Sequence, residues 1–340
     1  MYEDQYGLSG RPFALTPDPR FWFETATHRK AMAYLGYGLS QGEGFIVVTG
    51  DIGAGKTTLV GHLVDTIDPT RLKVITLVST QMDPEDLLRL VADGLGIEGQ
   101  GLAKADLLKR IEQGLHAVAR DGRRTLLIVD EVQALPTDSL EELRMLSNIQ
   151  AGGQPLLQIV LLGQPEFRDR LHGSDRLEQL RQRVIAIHHL DPMEPEEIEP
   201  YMRHRLALVG WQGKPDFAPD AFVAMHEATG GVPRIVNQLA GRVMLFAAMD
   251  RIATIDAEVI DAVIDDLAAD VHHPAPQPIA DAAKAATVPS IDEAMQRIAM
   301  LEARVEDQDA ALRRVLTLLV DWVEGGDSQR SEPVMGSSAA

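Results

Sequence analysis

FIVVTGDIGAGKTTLVGHLVDTI, residues 45–67, is the stretch on which the reading of this chain turns. The run FIVVT (45–49) is apolar and β-branched and predicts a buried strand. Gly50, Asp51, Ile52, Gly53, Ala54, Gly55, Lys56 and Thr57 then fit the pattern Gly-x-x-x-x-Gly-Lys-Ser/Thr. TTLVGHLVDTI (57–67), with Thr58 beside the motif, sets Leu59, Leu63 and Ile67 on one helical face. Strand, glycine-rich turn and helix in that order are the context in which the pattern cradles phosphate. Glycines let backbone N–H groups converge on phosphate oxygens, and the helix N-terminus adds positive partial charge. Lys56 is expected to reach the β and γ phosphates of a nucleoside triphosphate, and the Thr57 hydroxyl to hold Mg²⁺. The bland alternative is a glycine-rich turn that binds nothing.

Outward from this stretch, apolar runs alternate with helical patterns. Strands are predicted at 45–49, 73–78, 125–129, 157–162 and 184–188, with helices at about 57–67, 83–95, 103–120 and 138–149. That alternation predicts an α/β fold, a parallel sheet flanked by helices. Beyond about 190 the strand signal stops, and helical spacing at 194–209, 219–228, 232–248 and 256–268 predicts a small all-helical lid. The expected divisions are an N-terminal segment 1–40, an α/β domain 41–190, the lid 191–270 and a Pro/Ala-rich linker 271–290. A heptad helix 291–324 follows, with Ile291, Ile298, Val305, Leu312 and Leu319 at one seam position. It reads as a coiled coil or as an amphipathic helix docked on its own body. A disordered tail is expected at 325–340.

The 340 residues carry no cysteine, which removes disulfides and thiolate metal sites. A net charge of −19 and a pI near 4.9 argue against binding nucleic acid mainly by charge. No apolar run approaches the roughly 20 residues that span a bilayer, and MYEDQYGLSGRPF does not read as a signal peptide. A cytoplasmic location is therefore expected, with any peripheral place at the inner membrane coming through partners.

Four further features carry chemistry. LLIVDE (126–131) is a buried strand ending in Asp130 and Glu131, at the sheet edge where ligands collect. Asp130 is expected to hold Mg²⁺, directly or through water, and Glu131 to orient and deprotonate the attacking water. Gln164, directly after LQIVLLG (157–163), stands to lie between the acids and the γ-phosphate, or to be a turn residue before Pro165. In RLEQLRQRV (176–184), Arg183, or Arg181 as the nearer alternative, is a candidate to act on a neighbouring subunit's nucleotide. GGVPRIVNQL (230–239) opens a lid helix from whose first turn Arg234 would reach back to the γ-phosphate. The histidine pairs His188/His189 and His272/His273 lack metal-ligand spacing and read as structural or solvated.

With these motifs in order, the chain resembles the AAA+ ATPases, and within them the general secretion pathway A group. Tyr6-Gly7-Leu8, RPFALTPDPRFWF (11–23), His28-Arg29 and GEGFIVVTGDIGAGKTTLV (42–60) carry much of the likeness. STQMDPEDLLR (79–89), EELRMLSNIQ (141–150), LLGQPEFRDRL (161–171) and LEQLRQRVIAIHHLDPM (177–193) look like the subgroup encoded beside exosortase/PEP-CTERM and exopolysaccharide genes. The resemblance implies ATP and Mg²⁺ as ligands, Walker A at Gly50 to Thr57 and Walker B at Asp130 and Glu131. It further implies sensor 1 at Gln164, the arginine finger at Arg183 and sensor 2 at Arg234. By the same resemblance Pro12 and Phe13 would line the adenine pocket. Gln164 departs from the Asn or Thr more usual at sensor 1, and the membrane-anchored, wall-binding role of longer members is not expected to carry over to these residues.

The function so implied is ATP hydrolysis in a homo-oligomer, energising or regulating an envelope export or exopolysaccharide-protein sorting system through protein contacts. A nucleic-acid-associated helper ATPase of the transposition type and a nucleotide-dependent coiled-coil scaffold are the alternatives.

Overall fold

The chain opens with a short helix α1 (Tyr2–Tyr6) and an irregular strap that runs to helix α2 (Ala26–Gln41). Thr25 caps α2, its hydroxyl accepting the His28 N–H at 3.2 Å. The structure, a computed structural model, describes residues 2–16, 18–78 and 82–271. After α2 come β1 (Phe45–Gly50), α3 (Lys56–Thr66), β2 (Leu72–Val78), α4 (Pro84–Gly94), α5 (Lys104–Arg120) and β3 (Arg124–Asp130). Helix α6 (Thr137–Leu146), a two-residue hairpin of β4 (Gln150–Ala151) and β5 (Gln154–Pro155), and β6 (Leu157–Gly163) follow. Helices α7 (Pro165–Gly173) and α8 (Glu178–Arg181) lead into β7 (Val184–Leu190).

The five long strands form one parallel sheet in the order β2-β3-β6-β1-β7. Side chains alternate across it because strand geometry repeats every second residue. Phe45, Val47, Leu127, Val129, Ile159 and Leu161 face one apolar core, shared with α4, α5, α6 and α7. Ile46, Val48, Leu126, Ile128, Val160 and Leu162 face the other, shared with α2 and α3. Both faces are therefore buried, which is why these strands read as continuous apolar runs rather than alternating ones. Each fully buried Leu or Ile contributes about 2 kcal/mol of transfer free energy.

Beyond the sheet, α9 (Pro195–Leu208), α10 (Pro219–Thr229), α11 (Pro233–Met249) and α12 (Ala257–Val271) enclose a separate core of Met202, Leu206, Met225, Val236, Ala240 and Met244. This layer is not purely helical, because β8 (Asp216–Phe217) and β9 (Thr254–Ile255) pair in parallel within it. Two residues per strand leave no periodic trace in a sequence. Helices α2, α7 and α8, unpredicted in the sequence, also belong to the fold. The predicted linker, heptad helix and tail lie outside the described residues, save Val271 at the end of α12, as do His272 and His273.

The first forty residues divide between the two layers. Helix α2 packs on the sheet, whereas Leu8 and Phe13 join the core of the helical layer, with Tyr2, Tyr6, Phe21 and Phe23 against it. Arg205 of α9 fastens this strap. Its guanidinium is buried, donates from Nε to the Pro12 carbonyl at 2.7 Å and from Nη1 to the Tyr201 hydroxyl at 2.9 Å, and lies over the Phe21 ring at 4.7 Å. The Tyr201 hydroxyl in turn donates to Asn237 Oδ1 at 2.9 Å. A buried cation satisfied this way is costly to truncate, since its acceptors lose their donor. Arg205→Met is expected to destabilise the chain by about 3 kcal/mol, read as a lower urea midpoint with an unchanged slope; an unchanged midpoint would show that the strap is held by apolar contacts alone.

Candidate functional site

Parallel pairing brings the C-terminal ends of β1, β3 and β6 side by side, with Thr49 opposite Gly163 and Val129 opposite Leu161. The residues that leave those ends therefore meet at one edge. From β1 comes the loop Gly50–Gly55, which turns into α3 with Gly53 at φ 89° and Gly55 at φ 95°. Both angles lie in the region open to glycine, and Gly55 leaves the helix start without a side-chain cap. The first N–H groups of α3 thus remain available, the arrangement that suits an anion.

Lys56 is buried and donates from Nζ to the Gly50 carbonyl at 2.6 Å and the Asp51 carbonyl at 2.9 Å. Burial pulls its ammonium below the usual lysine range, while Glu131, Asp130 and Asp51 pull it back up. The Thr57 hydroxyl donates to Asp130 Oδ2 at 3.1 Å, and Asp130 Oδ1 accepts the Glu131 N–H at 2.8 Å. A hydroxyl and a buried carboxylate so close fit Mg²⁺, which takes hard oxygen ligands and completes its shell with phosphate and water.

Glu131 stands in the left-handed region, φ 54° and ψ 37°. Such a conformation costs an ordinary residue on the order of 1 kcal/mol, and here it turns the carboxylate back toward the loop edge. Gln164 Nε2 donates to Glu131 Oε2 at 3.3 Å, and Gln133 Nε2 donates to the same oxygen. Gln133 also accepts the Gln164 N–H through Oε1 at 3.1 Å. Gln164 thus lies beside the acids, and Gln133 is a partner that sequence reasoning missed. Its only trace in the sequence was its place two residues after the acidic pair.

The helical layer closes the site. The Arg234 N–H donates to the Gly53 carbonyl at 3.3 Å, and a Cβ at Gly53 would lie 2.3 Å from that of Arg234. The Met193 N–H, at the entry to the layer, donates to the Gly231 carbonyl at 2.9 Å. A cavity runs from the strap (Thr16, Asp18, Phe21, Trp22) past Gly53 to Thr58 and Glu131, with Tyr201, Arg234 and Asn237 across it.

One expectation needs correction. Pro12 and Phe13 do not line this cavity: Phe13 is 5% exposed within the core of the helical layer, and Pro12 is turned to Arg205. The neighbouring residues Ala14, Leu15 and Thr16 form that wall instead, because the apolar Phe13 side chain gains more by burial against α11. Arg183, expected to act on a neighbouring subunit's nucleotide, is remote from the chain's own loop. Its carbonyl accepts the Phe45 N–H at 3.0 Å, at the opposite end of β1 from Gly50. Six residues of strand separate the two by roughly 17 Å, so no contact within one chain is possible. Its Nη1 donates to Ser147 Oγ at 3.3 Å, while Arg181 Nη1 donates to the His172 carbonyl at 2.9 Å. His188 stacks on Tyr34 and bonds the Thr27 carbonyl at 3.2 Å; His189 Nδ1 lies 3.0 Å from Thr49 Oγ1.

His28, on α2, is another cavity residue. Burial lowers its pKa from 6.5 to about 4, with Glu197 and Glu24 opposing the shift and His188 adding to it. Between those values the unfolded chain takes up a proton that the folded chain refuses. Stability from this group is therefore present above pH 6.5 and lost as the pH falls toward 4. His28→Asn is expected to lose less stability than the wild type across that window, measured as urea midpoints at each pH; parallel curves would show that His28 does not titrate there.

Comparisons with known proteins accord with this geometry. Residues 39–171 match the family described as AAA domain. The chain is 36% identical over 248 residues to General secretion pathway protein A of Aeromonas hydrophila, an alignment covering 73% of this chain. It spans only 45% of that protein's length. The fold is shared with Cdc6p of Pyrobaculum aerophilum, at TM-score 0.58 and 16% identity over 75% of this chain and 70% of that one. It is shared equally with the ORC2 protein of Aeropyrum pernix, solved as ADPNP-ADP complexes, at TM-score 0.56 and 16% identity over 75% and 71%. Among the described residues no helix is long and apolar enough to cross a membrane. The AAA-domain match over residues 39–171 and the fold shared with P-loop AAA+ structures lie in a chain similar to the secretion-pathway protein A.

Proposed function

We propose that this chain hydrolyses ATP and, as a homo-oligomer, energises or regulates an envelope export or exopolysaccharide-protein sorting system of the exosortase-associated kind. The observation that carries hydrolysis is the single edge on which Lys56, Thr57, Asp130, Glu131 and Gln164 meet. Backbone N–H groups of Gly53 to Thr58 and the Lys56 ammonium bind the phosphates. Lys56 need only exchange two carbonyl acceptors for phosphate oxygens. Thr57 and Asp130 would hold Mg²⁺, which supplies charge neutralisation on the phosphate oxygens. Glu131 accepts a proton from the water that attacks the γ-phosphorus, and Gln164 and Gln133 keep its carboxylate aimed. Arg234, bonded to the phosphate loop through its backbone, links the γ-phosphate to movement of the helical layer. Arg183, remote from its own loop, acts on a neighbour's nucleotide; it would exchange a neutral Ser147 acceptor for a phosphate. The export pathway rests on the relationship to General secretion pathway protein A, less than half of which this chain spans.

Lys56→Ala is expected to abolish the thermal stabilisation given by ATP, whereas Glu131→Gln keeps it and turns over about a hundredfold more slowly. Stabilisation retained in Lys56→Ala would sink the phosphate-loop assignment. Arg183→Ala is expected to lose turnover and to regain it when mixed with Lys56→Ala subunits, followed as phosphate release against mixing ratio. No recovery at any ratio would argue against a finger supplied in trans.

A further inference from the structure

Among the described residues, four buried side-chain polar atoms have no hydrogen-bond partner, and one of them, His28 Nε2, belongs to a side chain that lines the nucleotide cavity. His28 is 6% exposed. Thr25 Oγ1 accepts the His28 N–H at 3.2 Å and lies 2.7 Å from His28 Nδ1. We assign the hydroxyl hydrogen to Nδ1, the acceptor within its reach, which places the hydrogen of the neutral ring on Nε2. Trp22 meets the ring edge-on with centroids 5.0 Å apart, and Trp22 itself stacks on His62 of α3, which holds the imidazole in place.

The protonated edge faces the phosphate loop. A Cβ at Gly55 would lie 2.8 Å from Nε2, so only a glycine leaves room between this donor and the turn into α3. An N–H donor held under a loop of anion-binding geometry, with no acceptor of its own, leaves a buried group unsatisfied at a cost comparable to a lost hydrogen bond. We infer that His28 is a nucleotide-positioning residue, whose Nε2–H donates to a phosphate oxygen of the bound nucleotide once the loop at Gly55 adjusts around the phosphates. The inference rests on the nucleotide reading above and adds to it a ligand contact from α2, outside the motif that announced the site. The neutral ring suits the role, because its donor is present across the physiological pH range.

Asn at this position keeps an oxygen near the place of Nδ1 for Thr25 and removes the Nε2 donor; Gln reaches the place of Nε2. Calorimetry on the full chain should give His28→Asn an affinity for ATP and ADP about tenfold or more below wild type. Its thermal midpoint without nucleotide should be unchanged or higher, and His28→Gln should bind within about threefold of wild type. Inorganic tripolyphosphate, titrated as a competitor, should lose affinity in His28→Asn to the same degree. A loss confined to ATP and ADP would move the contact to the nucleoside and overturn the phosphate assignment. Wild-type affinity in His28→Asn, with Lys56→Ala unable to bind, would overturn the role of His28 alone; wild-type binding by Lys56→Ala would instead remove the nucleotide reading beneath it. Should His28→Asn not fold, ¹⁵N-histidine spectra of the wild type decide: ADP should shift the Nε2–H resonance and slow its exchange, and an unmoved resonance would overturn the inference.

Discussion

Parallel backbone pairing of β1, β3 and β6 is the constraint on which the rest of the molecule depends. Parallel strands bring like ends together, so whatever chemistry follows each strand is delivered to one edge. Thr49 pairs with Gly163 and Val129 with Leu161; a shift of one residue would turn every side chain to the opposite face and bury the wrong set. The apolar cores on both faces enforce that register. The loop, the acidic pair and Gln164 converge because the sheet cannot pair otherwise without exposing Val47, Leu127 and Ile159.

Convergence alone leaves an open edge, and the helical layer with the strap encloses it. The strap crosses from one layer to the other: Phe13 is buried with α11, Pro12 is fixed by Arg205, and α2 returns to the sheet. Glu197 of α9 accepts the Ala26 N–H at 2.7 Å, and Thr27 Oγ1 accepts the Asp191 N–H at 3.1 Å. These ties fasten the start of α2 to the hinge between layers. The start of α2, which carries His28, and the phosphate loop at Gly53 are thereby both tied to the helical layer or its entry. Ties of this kind are what the proposed nucleotide-linked movement of the helical layer would act through.

Charge is handled economically at the site. Lys56 is buried without a direct carboxylate bond, its ammonium held by two backbone carbonyls, while Asp130 is buried against a hydroxyl and an N–H. Each group is satisfied by neutral partners, so each remains free to trade them for a phosphate or a metal ion. Glu131 differs in being held by two glutamine amides and by a left-handed backbone, a geometry that aims a carboxylate without neutralising it.

The five strands, the helices from α3 to α6, the phosphate loop and the acidic pair were legible because each is written locally, whereas the short α7 and α8 left no clear pattern. A β-branched run, a glycine spacing or an acid at a strand end carries its meaning within a few residues. Helix α2 was not legible, since its sequence ATHRKAMAYLGYGLSQ mixes apolar and polar positions without a clean stripe, and its burial comes from β7. Arg205 and Pro12, Gln164 and Gln133, and Gly55 and His28 meet across long stretches of chain, so no local pattern marks them. The strands and the phosphate-binding chemistry follow from local sequence, because backbone conformation and side-chain type act at short range. Which aromatic and basic residues wall the cavity, with Phe13 turned away from it and His28 toward it, is settled by packing between the layers. That choice is made by competition for burial between two layers, a competition that exists only once both have formed.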